Sequence, residues 1–296
     1  MNALKRNKKL DVTYFPSGSS FDTTILKDRF DAILLPNNNT DGTPDELIGI
    51  EKLKIPVICR TGDPHWAKKY NQIRFHDKYK IDYYFNFMHE DYFYKFYPKH
   101  FRYKTIIFGL EAKLYKNTIP FKERIDDKIL NSGAIGKTTL ISRIANAVLN
   151  PHQSGWYFYK LRTMCNQLPY VEHFGMVGKR YISDDYPSLL SRYKATIAAT
   201  TYYPTIKYLE TTAAGCMTFM EITDLNKGNY LGFKDGETAI FINEQNYKEK
   251  FEEFLKDPNN PKWEKIANAG RKYCVEDLNN DRAVDSLVQL IETIVN

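Results

Sequence analysis

Short apolar runs alternate with amphipathic stretches through most of the chain, as expected for parallel strands joined by crossover helices. Each apolar run is brief and is bounded by Gly, Pro, Asn or Asp, which are turn residues. In the first part of the chain the runs predict strands at 11–15, 32–35, 56–59, 83–87 and 105–108. In the second part they predict strands at 128–131, 195–198, 216–220 and 238–242. The pattern therefore predicts an α/β fold.

A break at residues 116–120 separates the two series of strands, and we place a domain boundary there. Residues 1–117 are predicted to form one Rossmann-like domain and residues 118–275 a second, with parallel sheets in both. Residues 276–296 are predicted to end in a helix that packs back on the first domain. Apolar residues at helical spacing predict the remaining helices, at 136–149, 186–193, 205–214, 247–255 and 261–274.

Composition and charge say more about the class of binding partner than about the fold. A chain of 296 residues is long enough for two domains, and 43% hydrophobic with 26% charged residues is ordinary for a globular protein. The net charge of +6 favours anionic partners, which include nucleotide phosphates, an acidic lipid surface and nucleic acid. No apolar run approaches the roughly 20 residues that a membrane-spanning helix needs.

Two features favour a cytoplasmic protein. The basic N-terminus has no apolar segment behind it, so we expect no secretory signal. The four cysteines lie far apart without metal-ligand spacing, and we interpret them as buried, reduced thiols.

The segment Asn131-Ser-Gly-Ala-Ile-Gly-Lys-Thr138 looks like a phosphate-binding loop of nucleotide hydrolases. That motif needs a glycine where this chain has Asn131, and no later strand ends in a magnesium-binding aspartate, so ATP or GTP hydrolysis is disfavoured. Without the full motif, the segment still predicts a strand, a turn at Gly133 and a helix start. Backbone amides at such a turn can bind phosphate. Lys137 and Arg143 are therefore candidates for contacting a diphosphate. The alternative is that both are solvated helix charges.

The stretch from Tyr202 to Gly215 is the stronger signal. A strand leads into a loop, Pro204 is predicted to open a helix, and Glu210 lies in the second turn of that helix. The helix would start at the carboxyl edge of the sheet, where open α/β sheets bind ligands. A carboxylate in this place can accept hydrogen bonds from two ribose hydroxyls, so the stretch predicts a nucleotide site. Its other candidate residues are Tyr203, Thr205 and Lys207.

These residues carry a resemblance to a known family. Glu210-Thr-Thr-Ala-Ala-Gly215 resembles the Glu-Ala-x-Ala-x-Gly segment of group 1 glycosyltransferases, whose glutamate binds the donor ribose. Pro204-Thr-Ile-Lys-Tyr-Leu-Glu210 is closer still to the CgeB-like, spore-maturation-type branch, which has Pro-Thr-x-Arg/Lys-x-x-Glu here. Segments 81–116, 232–237 and 263–273 also resemble this branch, and the resemblance covers most of residues 30–290.

The resemblance implies a GT-B fold, in which two Rossmann-like domains with parallel sheets face a central cleft. It also implies transfer of a sugar from a nucleoside diphosphate sugar to a hydroxyl-bearing acceptor. The second domain would bind the donor, with UDP favoured over GDP, and the first domain would bind a glycan, protein or small-molecule acceptor. We expect no cofactor. Asp126-Asp127 is assigned to a helix start, and no metal site is predicted.

On the acceptor side the candidates are Asp63 and His65, in Arg60-Thr-Gly-Asp-Pro-His65 directly after a predicted strand. Imidazole titrates near neutrality, so His65 could serve as a general base, although a turn whose aspartate caps the next helix fits equally well. The aromatic and basic segment 66–104 is interpreted mainly as core, with a rim open to sugars or a membrane interface, and direct nucleic-acid binding is disfavoured.

One departure from the family leaves an alternative open. Group 1 enzymes often carry a second glutamate eight residues before the first, where this chain has Tyr202. The first domain is also short for this architecture. The alternative function is a catalytically silent partner subunit that binds a sugar nucleotide or a glycan.

Overall fold

The computed structural model describes residues 2–15, 18–39, 42–149, 155–175 and 185–295. Contacts divide the chain into two units, Met1–Phe108 with Asn280–Asn296 as unit 1 and Gly109–Asn279 as unit 2. The sequence pattern had placed this boundary near residue 117 and the start of the last segment at 276. The strands are β1 (Ser20–Asp22), β2 (Ile33–Leu35), β3 (Glu46–Ile48), β4 (Val57–Arg60), β5 (Ile81–Asn86), β6 (Tyr103–Thr105), β7 (Ile125–Ser132), β8 (Val171–Phe174), β9 (Tyr193–Ala198), β10 (Met217–Glu221) and β11 (Ile240–Ile242).

The helices lie between and after these strands, and none in the described part of the chain is long and apolar enough to cross a membrane. They are α1 (Asn2–Arg6), α2 (Phe75–Tyr79), α3 (Glu90–Phe93), α4 (Leu140–Leu149), α5 (Gly155–Phe158), α6 (Lys160–Cys165), α7 (Tyr186–Leu190), α8 (Lys207–Ala213), α9 (Tyr247–Lys256), α10 (Pro261–Asp277) and α11 (Asn280–Val295).

Unit 1 contains a four-stranded parallel sheet in the order β2-β4-β5-β6. One face packs an aromatic cluster, in which the Phe93 ring stacks on Tyr97 and Tyr103 with centroids 4.5 and 4.2 Å apart. Packing of this kind accounts for much of the aromatic content of residues 66–104. On another core surface of the unit, α11 packs its apolar side chains against strand residues such as Ile58 and Phe85.

The strand predicted at 11–15 is wrong, since these residues form no strand and are largely exposed. The Phe15 ring instead packs against Phe21, with centroids 5.2 Å apart. The pattern also missed the short parallel pair β1 and β3, because three-residue strands with mostly exposed side chains leave no apolar run.

Unit 2 contains a five-stranded parallel sheet in the order β11-β10-β9-β7-β8, and the α/β prediction with parallel sheets is confirmed. The edge strand β8 was missed because it is short and holds Glu172 and His173. The assignment of Asp126-Asp127 to a helix start is wrong, because both lie in β7. Asp126 pairs with the buried Lys194 at 3.0 Å, which explains an acid within a strand.

Helix α10 approaches its neighbours closely at Gly270. A Cβ atom built on this glycine would overlap the Thr238 carbonyl oxygen and lie 2.7 Å from the Thr212 Cγ2 atom of α8. The close approach leaves no room for a side chain, so the glycine in a helix interior is required by packing.

We predict that Gly270→Ala lowers the free energy of unfolding by about 1–3 kcal/mol, the usual range for an overpacked core. Alanine is the better helix former by about 1 kcal/mol, so an exposed site would show the opposite sign. Urea unfolding followed by circular dichroism measures the change. The control is Asn268→Ala on the exposed face of the same helix, which should be neutral or slightly stabilising. Equal stability of Gly270→Ala and the wild type would contradict the packing argument.

Candidate functional site

A glycine turn follows β7 at the carboxyl edge of the unit 2 sheet. Gly133 has φ of +99°, and its N–H donates to the Phe174 carbonyl at 2.9 Å while its own carbonyl accepts from the His173 Nε2 at 2.9 Å. A Cβ atom here would lie 3.0 Å from the Arg162 Nη2 and 3.2 Å from the Lys207 Cε. Both the backbone conformation and the two cationic side chains therefore require glycine.

Two buried cations meet at this turn. Lys207, on α8, donates from its Nζ to the Ser132 Oγ at 3.0 Å and to the Tyr186 Oη at 2.5 Å. Arg162, on α6, is 2% exposed and donates from its Nε and Nη2 to the Ala134 carbonyl at 3.0 and 2.5 Å. Within the described residues, the hydrogen-bond partners of both cations are uncharged, and an ammonium has three donors, of which two are used here.

The electrostatics of this cluster favour an added anion. Burial and the nearby Arg162 lower the pKa of Lys207 to about 7, and Glu210 opposes that shift. Burial also raises the pKa of Glu210, against the pull of Lys207. Two buried cations thus face one carboxylate that itself resists ionisation. Buried charge is unfavourable unless it is paired, so a ligand with two negative charges would stabilise the arrangement.

The structure places the predicted nucleotide stretch around α8, with one correction. The helix was expected to open at Pro204, but it begins at Lys207, so Glu210 lies in its first turn. The chain before it forms a turn, because the Thr205 carbonyl accepts from the Tyr208 N–H at 3.0 Å in a tighter pattern than an α-helix. Tyr203 is buried, and its carbonyl accepts from the Thr200 Oγ1 at 2.6 Å.

Lys137 and Arg143 differ from the buried pair of cations in their exposure to solvent. Both are exposed. The Arg143 guanidinium lies 4.2 Å from the centroid of the Trp156 ring, an arrangement that a cation–π attraction stabilises. The residues that sequence reasoning missed are Arg162, Ser132 and Tyr186. The available signal was a pair of basic residues, Lys160 and Arg162, within the largely apolar and aromatic stretch 156–165.

In unit 1, Asp63 and His65 follow β4 at the carboxyl edge of that sheet, as predicted. The His65 Nδ1 lies 3.3 Å from the Tyr92 Oη, and its ring packs against Trp66. Burial lowers the pKa of His65, with Asp63 opposing, so the imidazole is neutral at pH 7. A neutral imidazole can accept a proton from a hydroxyl, which is the chemistry expected of a general base.

Comparisons with known proteins bear on the fold and on the type of domain. Residues 156–289 match the family model described as glycosyl transferase-like. A search of curated proteins by sequence finds no match. The solved structure of Anabaena Alr3699/HepE in complex with UDP and glucose is similar at 11% identity and a TM-score of 0.52, over 81% of this chain and 72% of that chain.

The same Anabaena protein in complex with UDP gives 12% identity and a TM-score of 0.51, over 81% of this chain and 73% of that chain. At such low identity these likenesses establish the fold alone, and the family match covers residues 156–289, less than half of the chain. The chain has the GT-B fold, with a parallel sheet in each unit, and together with the glycosyl transferase-like domain this supports an enzyme of the glycosyltransferase class.

Proposed function

We propose that this chain transfers a sugar from a UDP-sugar to a hydroxyl-bearing acceptor, without a metal ion, and that unit 2 binds the donor. The observation that carries the proposal is the pair of buried cations, Arg162 and Lys207, on a glycine turn at the carboxyl edge of a parallel sheet. A diphosphate supplies the two negative charges that the pair lacks. The same cations would stabilise the charge that develops on the departing diphosphate during transfer.

The identity of the donor base and the CgeB-like branch of the family rest on fewer observations than the donor site itself. The similar Anabaena protein is described in complex with UDP-glucose, which supports uridine in the donor. Pro204-Thr-Ile-Lys-Tyr-Leu-Glu210 supports the CgeB-like branch, with Glu210 accepting hydrogen bonds from the ribose hydroxyls. The backbone around Tyr203 and Thr205 would line the same nucleotide, and one of Lys137 and Arg143 would contact the diphosphate.

The acceptor and the compartment complete the proposal. His65 would take the proton of the acceptor hydroxyl, with Asp63 stabilising the resulting imidazolium, and the acceptor is a glycan, a protein or a small molecule. The four cysteines are all free and buried, which supports a reducing compartment such as the cytoplasm.

The first prediction from the proposed function concerns donor binding. UDP-glucose should raise the melting temperature of the wild type, and Lys207→Met should weaken UDP-glucose binding by about 10–100-fold, because a charge-assisted hydrogen bond is lost. Thermal melting measures the first effect, and isothermal titration calorimetry measures the second. Lys272→Met, an exposed lysine of α10, is the matched control and should keep wild-type affinity. Stabilisation by ATP with magnesium alone would contradict a sugar-nucleotide site.

The role of Glu210 has a separate test. If its carboxylate accepts from both ribose hydroxyls, the wild type should prefer UDP to 2′-deoxy-UDP, and Glu210→Ala should weaken UDP binding and abolish that preference. Titration calorimetry with the two nucleotides gives the ratio of affinities. A preference that survives in Glu210→Ala would place the ribose elsewhere.

The third prediction is a pH dependence. Since the folded pKa of Lys207 lies at about 7, its ammonium is present below that pH and is lost above it. Affinity for UDP-glucose should therefore fall as pH rises from 7 to 9, by up to about tenfold per pH unit if donor binding requires the charge. UDP-glucose is the right probe because its diphosphate does not titrate in this range. Lys207→Met should flatten the profile, and a flat wild-type profile would show that the charge on Lys207 does not control affinity.

The fourth prediction separates an enzyme from a silent binder. Wild-type protein with UDP-glucose should release UDP, at least by slow hydrolysis, and the release should persist in EDTA. His65→Gln should reduce acceptor-dependent turnover by about 10²–10⁴-fold, the usual contribution of a general base, with donor affinity unchanged. Binding of UDP-glucose without any release of UDP would instead support the silent partner subunit.

A further inference from the structure

One segment of unit 1 carries most of the net charge of the chain. Residues 66–104 hold nine Lys and Arg against four Asp and Glu, and so contribute +5 of the total +6. In the described part of the chain, none of these nine cations forms an ion pair. Six lie instead within 5.8 Å of an aromatic ring centroid. Their charges therefore remain available to a partner outside the protein.

Two stretches of this segment meet at one place. The His76 ring of α2 stacks on Phe101, just before β6, with centroids 3.7 Å apart and an interplanar angle of 18°. The Tyr84 N–H donates to the Arg102 carbonyl at 2.8 Å and joins β5 to the same stretch. These contacts gather four exposed cations, here called the basic edge, which are Lys78, Lys80, Lys99 and Arg102.

The basic edge lies away from the candidate acceptor residues of unit 1. Lys80 directly precedes β5 and Arg102 directly precedes β6, so both stand at the amino ends of parallel strands. Asp63 and His65 follow the carboxyl end of β4. Parallel strands put their amino ends at one edge of a sheet and their carboxyl ends at the other, so the basic edge is no part of the predicted acceptor site.

Neighbouring acids neutralise little of this charge. The Asp82 Oδ2 accepts the Val57 N–H at 2.8 Å and so has a partner in the backbone. Asp77, on α2, is exposed. Burial and then the nearby Glu90 raise the pKa of Tyr94, and the structure shows no ion pair of Glu90 with Lys99 within the described residues. Two imidazole rings, His76 and His100, lie at the same place, with centroids 6.5 Å apart.

We propose that the basic edge binds the surface of a bilayer that contains anionic phospholipids. Dispersed lysine and arginine side chains suit the many single charges of a lipid surface, where each contributes independently. Lys99 and Arg102 lie over half-buried tyrosines, a residue type that fits the polar boundary of a bilayer. Lys78 lies over the buried rings of Phe75 and Tyr79. Arg102 lies 4.7 Å from the Tyr83 centroid and Lys99 lies 4.7 Å from that of Tyr94, so these cations occupy the ring faces on which nucleic-acid bases would stack.

The test is vesicle co-sedimentation of the full chain. Wild-type protein should bind vesicles of phosphatidylcholine with phosphatidylglycerol, should not bind phosphatidylcholine alone, and should be released by added salt. A variant with Lys78, Lys80, Lys99 and Arg102 all changed to Gln should bind at least about twentyfold more weakly. Each charge near an anionic surface contributes roughly a fivefold factor, so full engagement of only two of the four would already give that loss.

The matched control removes four exposed lysines of unit 2, Lys248, Lys256, Lys265 and Lys272, and so has the same net charge. It should keep binding within about threefold of the wild type. Equal losses in the two variants would show an effect of net charge alone and overturn the proposal, as would tighter binding to single-stranded RNA than to the anionic vesicles. Thermal melting and UDP-glucose titration of both variants confirm folding and keep this result separate from donor binding.

Discussion

The carboxyl edge of unit 2 depends on one constraint, the burial of two cations against a glycine turn. Lys207 and Arg162 come from different helices, and each is held by uncharged oxygens rather than by a full ion pair. A buried ammonium next to a buried guanidinium is unfavourable, and this is the physical reason that the Lys207 pKa lies near 7. The fold tolerates the arrangement because Ser132, Tyr186 and the Ala134 carbonyl satisfy part of the hydrogen-bonding capacity. A bound diphosphate would satisfy the remaining donors and supply the missing negative charge.

The parallel sheet is what brings these groups together. Strand β7 ends at Ser132, and the turn at Gly133 then leaves space for the ends of Lys207 and Arg162. Helix α8 starts directly with Lys207 and carries Glu210 one turn later, so the cation and the carboxylate lie on the same side of a short helix. Each of these pieces is local, but the site exists only when the three chain segments converge, as the carboxyl ends of parallel strands do.

Most strands and helices, and the nucleotide stretch with Gly133, Lys207 and Glu210, could be predicted from the sequence, because local periodicity and short motifs record them. Arg162 and Tyr186 could not, since their importance comes from contacts to residues far away in the chain. Strand β8 was missed because edge pairing, not an apolar pattern, defines it. Helix α8 begins at Lys207 rather than at Pro204 because the residues before it form a turn, in which the Thr205 carbonyl accepts from the Tyr208 N–H. Amino-acid composition does not record such a hydrogen bond. The placement of site residues in the donor or acceptor role stays a prediction.

The two groups of cations in this chain show how burial changes what positive charge can do. In unit 2 the buried pair is desolvated and fixed in direction, so it can recognise the position of a particular anion and responds weakly to salt. In unit 1 the cations of the basic edge are exposed to solvent, so they can attract a charged surface but are not arranged to select a single ligand geometry. If both proposals hold, burial alone separates a specific electrostatic role from a diffuse one in this chain. Salt should distinguish them, because screening acts on the exposed group and largely spares the buried one.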